Sequence, residues 1–177
     1  MTTRAFAHTV RIGAVVLFAG LLTWHTEGIG WSQIVGDEAE MDRLNTKAEE
    51  LMGNDDPEGA AMSMGRAALM AKNLTRKYRE DGSAVRLFQG AESLFRSQEH
   101  GYRAIALFRR AGGQLPASSG VCGSLSLALQ SVQHALSSLP QQNEVGSRLA
   151  DKAGQYRQSA DNWSTVIDSM IADYQCR

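Results

Sequence analysis

Residues 83–111 read SAVRLFQGAESLFRSQEHGYRAIALFRRA, and the apolar side chains of this stretch recur at the spacing of one helix face. That apolar stripe consists of Leu87, Phe88, Ala91, Leu94, Phe95, Tyr102, Ile105 and Phe108. It can continue in phase through Gln98, which would give one long helix ending near Ala111. A break at Glu99–Gly101 would instead give a hairpin of two helices. Both interpretations predict helix, and neither leaves room for a strand.

The hairpin interpretation carries a family resemblance across residues 84–116. Ala104, Phe108, Ala111 and Pro116 have the small, aromatic, small and proline spacing found in the second helix of a tetratricopeptide repeat. The segment from Leu87 to Phe95 resembles the first helix of that repeat, with alanine at position 91 where the family usually has glycine. No second copy follows at the period of the repeat, so the resemblance implies one tetratricopeptide-like helix hairpin and not a solenoid.

Four more helices are expected from the same periodicity. The first runs from about Trp31 to Met52, and the second starts near Pro57 and stops near Asp81. The fourth spans about 121–139 and ends before Pro140, and the fifth carries an apolar stripe from Val145 to Tyr174. The apolar face predicted for the second helix consists of Met62, Leu69, Met70 and Leu74. The fold class is therefore all-α, a bundle of four to five helices.

Charge is distributed unevenly along the chain, although the formal net charge is only −1. The segment from Glu27 to Glu58 contains ten acidic and two basic residues. Residues 66–110 contain ten basic and four acidic residues, and residues 111–143 carry no charge. Two interpretations follow: either the acidic and basic helices are neighbours with the uncharged helix packed centrally, or the basic or uncharged helix meets another protein. Arg103, Arg109 and Arg110 are the residues expected to face a partner.

The N-terminal stretch RIGAVVLFAGLLTW, residues 11–24, is apolar and is followed by acidic residues. A cleaved signal peptide and a retained signal anchor share this pattern, and the lack of a clear cleavage site favours the anchor. We expect one membrane-spanning helix within residues 1–30, a cytoplasmic N-terminus, and an extracytoplasmic bundle over residues 31–177. The residues expected to lie in or at the membrane are Arg11, Ile12, Val15, Leu17, Leu21 and Trp24.

The two cysteines fit a location outside the cytoplasm, where disulfides persist. Cys122 and Cys176 are expected to form one disulfide, with two buried free thiols as the alternative. A tight turn at Pro140 would leave the two residues at unequal heights on a hairpin of straight helices. The disulfide therefore predicts an extended connection across 140–148, a later start to the fifth helix, or a bend before the fourth.

No catalytic, cofactor-binding or metal-binding residues are predicted. The chain has no histidine or cysteine motif typical of zinc, di-iron or c-type haem sites, and no glycine-rich phosphate loop. The near-neutral charge gives no reason to expect nucleic acid binding. The sequence therefore predicts a non-catalytic accessory or scaffold subunit of a bacterial inner-membrane protein complex, of the respiratory or photosynthetic kind. The bilayer and that complex are its expected partners, no cofactor is expected, and a periplasmic ligand-binding bundle, free or tethered, is the alternative.

Overall fold

The computed structural model describes residues 26–176, with side chains from residue 34 onward. This part of the chain contains five α-helices and no strand, which confirms the all-α prediction. The helices are α1 (Thr26–Gly53), α2 (Pro57–Lys77), α3 (Gly82–Arg110), α4 (Ser119–Ser138) and α5 (Ser147–Asp173), and a 3-10 turn spans Gln142–Glu144. The residues from Ile34 onward form one compact unit. The domain boundary predicted at residue 30 stays a prediction.

Aspartates fix the starts of α2 and α3. The side chain of Asp56 accepts a hydrogen bond from the backbone N–H of Gly59 at 2.8 Å, and Pro57 takes the first helical position. Asp81 accepts from the backbone N–H groups of Ser83 and Ala84, each at 3.0 Å. These caps satisfy donors that the first helical turn leaves open, so α2 and α3 begin at defined residues.

Helix α3 is one continuous helix, and the tetratricopeptide-like hairpin predicted over 84–116 is wrong. Gly101 lies within the helix, and its missing side chain leaves room for a neighbour on α5. A Cβ atom at Gly101 would lie 2.6 Å from Cζ2 of Trp163. The helix ends only at Arg110, where Gly112 (φ +74°) and Gly113 (φ +68°) adopt the left-handed conformation that glycine tolerates.

Helix α3 is also the central element, since it packs against α2, α4 and α5. The uncharged helix α4 is not central, because its outer face is exposed at Ser126, Leu127, Gln130 and His134. The core of the bundle is rich in alanine on the α2 side. The buried residues of α2 include Ala60, Ala67, Ala68, Ala71, Met64 and Leu74.

The apolar face predicted for α2 was wrong at two of its four positions. Leu74 is buried and Met70 packs against the core, but Met62 is 68% exposed and Leu69 is 51% exposed. The predicted face consists of large apolar side chains of the helix. The face that packs on α3 is instead made of small ones, because alanines allow the two helices to approach closely.

Cys122 and Cys176 form the expected disulfide, with their Cα atoms 5.3 Å apart. The unequal lengths of α4 and α5 are accommodated by the connection between them, which passes through extended residues at Leu139, Gln141 and Val145. Helix α5 starts only at Ser147. The extended connection and the late start, two of the three predicted solutions, are therefore both confirmed.

Among residues 26–176, no helix is long and apolar enough to cross a membrane. The six residues predicted to anchor the chain, from Arg11 to Trp24, lie outside the described residues.

Candidate functional site

An open groove of about 720 Å³ runs between α2 and α3 on the surface of the bundle. Helix α2 supplies one wall and α3 the other. The residues that line the groove are Glu58, Ala61, Met62, Gly65, Arg66, Leu69, Arg96, Glu99, Arg103, Ala106, Leu107 and Arg110. Four arginines against two glutamates give the groove a positive charge.

The floor of the groove is apolar and low. Ala61, Gly65 and Ala106 have small side chains or none. The side chains of Met62 and Leu69 on α2 are larger and are more than half exposed. Met62 and Leu69 thus place two exposed large apolar side chains inside one concave surface. This floor can therefore gain hydrophobic free energy when another molecule covers it.

Three arginines follow one line along the α3 wall. Arg96, Arg103 and Arg110 are spaced seven residues apart, which places them on the same helix face at intervals of about 10.5 Å. Arg66 lines the groove from α2, and none of the ion pairs found among the described side chains involves it.

Glu99 holds two of these arginines in place. Its side chain is only 12% exposed, and it accepts hydrogen bonds from Arg96 at 2.7 Å and from Arg103 at 2.6 Å. A Cβ atom at Gly65 would lie 3.2 Å from the carboxylate of Glu99, so the glycine gives this carboxylate its space. The result is one nearly buried anion that orients two cations toward the groove.

Two of the three arginines predicted to face a partner lie at this site. Arg103 and Arg110 line the groove, whereas Arg109 is not among its lining residues. Arg109 forms an ion pair with Asp55 at 2.6 Å, and Arg110 pairs with Glu58. These two pairs join the acidic segment to the basic one, so part of the charge asymmetry is internal. Whether a partner binds here is a prediction that these contacts do not test.

A second charged cluster lies elsewhere and joins three helices. Glu38 on α1 accepts a hydrogen bond from the Tyr78 hydroxyl at 2.6 Å, and Arg148 on α5 donates to both oxygens of Glu38 at 3.1–3.2 Å. Arg148 also donates to the Tyr78 oxygen. Burial, together with the hydrogen bond to Glu38, raises the pKa of Tyr78 to about 12. We interpret this cluster as structural, because its groups bind one another.

A smaller open cavity of about 310 Å³ lies between α3 and α5, at the opposite side of α3 from the groove wall. It is lined by uncharged side chains: Gln98, Gln155, Gln158, Ser159, Asn162, Trp163 and Val166. Oε1 of Gln98 and Nε1 of Trp163 have no hydrogen-bond partner, but both atoms are closed off from solvent. A ligand in this cavity could not reach them without a rearrangement, so the cavity is a weaker candidate than the groove.

Among the described residues, no group of three or more histidine, cysteine, aspartate or glutamate side chains is placed to hold a metal ion. Comparison of the chain with protein-family models, with curated proteins and with solved structures found no match.

Five residues of the site are not among those predicted from the sequence to face a partner: Arg66, Arg96, Glu99, Met62 and Leu69. A signal was available for four of them. Arg96 continues the seven-residue spacing of Arg103 and Arg110, Glu99 lies within one turn of both Arg96 and Arg103, and Met62 and Leu69 are themselves seven residues apart. That common spacing marks a helix face, but it does not tell whether the face is buried or exposed.

Proposed function

We propose that this protein is a non-catalytic accessory or scaffold subunit of a larger bacterial membrane protein complex, of the respiratory or photosynthetic type. Its N-terminal segment anchors it in the inner membrane as a single pass with the N-terminus in the cytoplasm, and its helical bundle lies on the periplasmic face. The observation that carries this proposal is the arginine-lined groove between α2 and α3, which combines exposed apolar side chains with oriented cations.

The composition of the groove supports protein binding. Interfaces between proteins are enriched in methionine and arginine and depleted of lysine. The groove has Met62 and four arginines, and no lysine lines it. Arginine side chains that are already oriented lose less freedom when they bind a carboxylate, which favours association. A partner surface that covers Met62 and Leu69 would remove apolar area from water as well.

The disulfide supports a location outside the cytoplasm, since such bonds are rare in the reducing cytosol. The chain should therefore resist alkylation by a maleimide reagent in intact spheroplasts until a reductant is added. Rapid labelling of Cys122 or Cys176 without reductant would contradict the periplasmic location, because both thiols would then be free in the cell.

The decisive experiment for the function is affinity capture of the tagged full-length chain from native membranes in mild detergent, with identification of the recovered proteins by mass spectrometry. We expect membrane proteins in stoichiometric amount, together with the peptide that precedes Trp31. The Arg103→Glu variant should lose these partners, whereas Arg79→Glu should keep them, because Arg79 is 81% exposed and lies outside the groove.

Recovery of the chain alone, beginning near Trp31, would refute both the anchor and the subunit role. The alternative is then a secreted or tethered periplasmic bundle that binds a small molecule. The uncharged cavity beside Trp163 is the specific feature that favours this alternative. Native mass spectrometry of the purified chain would reveal a retained ligand as an added mass.

A further inference from the structure

The walls of the groove share one period, and that period restricts what can bind there. Arg96, Arg103 and Arg110 recur every seven residues on α3, and Met62 and Leu69 are seven residues apart on α2. Seven residues are two helical turns, so both rows run parallel to their helix axes and drift only slightly over this length. A ligand that makes the same contact with each residue of a row must carry its contacting groups about 10.5 Å apart.

We propose that the groove binds an amphipathic α-helix of a partner protein, with an apolar seam and with acidic residues that recur every seven positions beside it. This inference deepens the proposed subunit role and rests on it. The α3 wall extends over 15 residues, from Arg96 to Arg110, which is about 21 Å along the helix axis. A partner helix of about four turns would span it.

Charge complementarity selects an acidic helix over a basic or neutral one. Arg66 stands on one wall and Arg103 on the other, so carboxylates on both flanks of the helix would meet a guanidinium. A bidentate arginine–carboxylate pair fixes the position of the helix along the groove as well as its charge. This division of roles, with an apolar seam for contact and flanking charges for partner choice, is the one that coiled coils use.

The floor of the groove fits a helix in shape. Ala61, Gly65 and Ala106 are small, so a helix can approach the floor between the raised side chains of Met62 and Leu69. Glu99 lies below the rim and keeps Arg96 and Arg103 turned toward the open space. The bound helix would lie beside α2 and α3 as a third helix, at the interaxial distance of 8–10 Å usual for packed helices.

The test uses the full-length chain in detergent and two synthetic 21-residue helical peptides. Both peptides have the same composition and the same leucine seam. In the first, glutamates recur every seven residues beside the seam; in the second, the same glutamates are moved out of that spacing. Fluorescence anisotropy of the labelled peptides measures the affinity. We expect the first peptide to bind at least tenfold more tightly than the second, with an affinity that falls as salt is raised from 50 to 200 mM.

Two variants assign the binding to the groove. Arg103→Glu should weaken binding of the first peptide at least tenfold. Gly65→Leu should do the same, because its side chain fills the floor and presses on the carboxylate of Glu99 that holds Arg96 and Arg103. Leucine is a better helix former than glycine, so Gly65→Leu keeps the helix intact, and circular dichroism verifies this. Arg79→Glu, which makes the same charge change outside the groove, should leave the affinity unchanged within twofold.

Several outcomes would overturn the inference. Equal binding of the two peptides, or equal losses with Arg103→Glu and Arg79→Glu, would mean nonspecific charge attraction. If the chain self-associates and Arg103→Glu abolishes that self-association, the occupant of the groove is a second copy of the chain. If neither peptide binds while Arg103→Glu still loses the native partners, the helix inference is wrong and the subunit role stands. If Arg103→Glu keeps all native partners, the groove is not their docking surface and the helix inference is wrong, while the recovered partners still support the subunit role.

Discussion

Glu38 and Glu99 are two nearly buried glutamates that each accept hydrogen bonds from arginine, but their partners come from very different places in the chain. Glu99 is held by Arg96 and Arg103, three and four residues away on the same helix. Glu38 is held by Tyr78, 40 residues away, and by Arg148, 110 residues away. The two clusters have similar chemistry, but the hydrogen-bonded residues are close together in the sequence around Glu99 and far apart around Glu38.

This difference separates the role of holding helices together from the role of shaping a surface. The Glu38 cluster links α1, the end of α2 and the start of α5, so its loss affects how the helices pack. The Glu99 cluster links only neighbouring turns of α3, and its arginines, 35% and 49% exposed, can turn to water when the carboxylate is removed. We therefore expect mutations at Glu38 to act on folding and mutations around Glu99 to act on binding.

The largest effect should come from Glu38→Ala, which we expect to lower the free energy of unfolding by about 2 kcal/mol. The buried Tyr78 hydroxyl then loses its acceptor, while the half-exposed Arg148 can still turn to water. Urea unfolding followed by circular dichroism measures the change. Glu99→Ala, the matched variant, should cost less than about 1 kcal/mol. Equal losses in the two variants would remove the distinction between the clusters.

A second test uses pH to isolate the contribution of Tyr78. The pKa of this hydroxyl is about 12 in the folded chain and about 10 in an unfolded one. Between these values the unfolded state releases the proton and the folded state keeps it, so this stabilisation is complete below about pH 10 and is lost as pH rises to about 12. Chemical unfolding at a series of pH values should show the decline.

Tyr78→Phe should make that alkaline decline shallower, although not abolish it, because burial also raises the pKa of Tyr102 to about 12. An unchanged slope in Tyr78→Phe would mean that Tyr78 does not titrate in this window, and that the cluster around Glu38 is looser than described.

The smallest effects are expected from glycines on helix surfaces. A Cβ at Gly123 on α4 meets nothing within 4 Å, so Gly123→Ala should raise the free energy of unfolding by about 0.5–1 kcal/mol through helix propensity. Gly65→Ala should gain less, because its Cβ presses on the carboxylate of Glu99. Thermal unfolding of the two variants gives the comparison. An equal gain at both positions would show that Glu99 moves aside freely and does not fix the arginines.

Much of the fold could be predicted from the sequence, because periodicity and capping act locally. All five helices were expected close to where they lie, the aspartate before Pro57 starts α2, and the disulfide constraint anticipated the extended connection after Leu139. The continuity of α3 could not be decided, since a glycine within a helical pattern can also mark a break. The side chain that packs on Gly101, Trp163, lies 62 positions away in the sequence.

The groove was the harder part to predict, because its apolar residues follow the same period as a core face. The size of Met62 and Leu69 predicts that they are buried, whereas the face of α2 that packs closely on α3 consists mainly of alanines. The arginines of α3 could be predicted as candidates from their charge. Which of them form ion pairs within the chain depends on where Asp55 and Glu58 lie in space. Only tertiary contacts supply that information.

The disulfide between Cys122 and Cys176 also determines how the chain would respond to mechanical force. A pull applied between the two ends would pass through the sulfur atoms and bypass the 54-residue separation between the cysteines. About 180 Å of chain, at 3.3–3.6 Å per residue, would thus be shielded from extension, including nearly all of α4 and α5. Only α1, α2 and α3 could be stretched out. Under a pull between the two ends, the helices that form the groove, α2 and α3, would therefore carry load, whereas α4 and α5 would not.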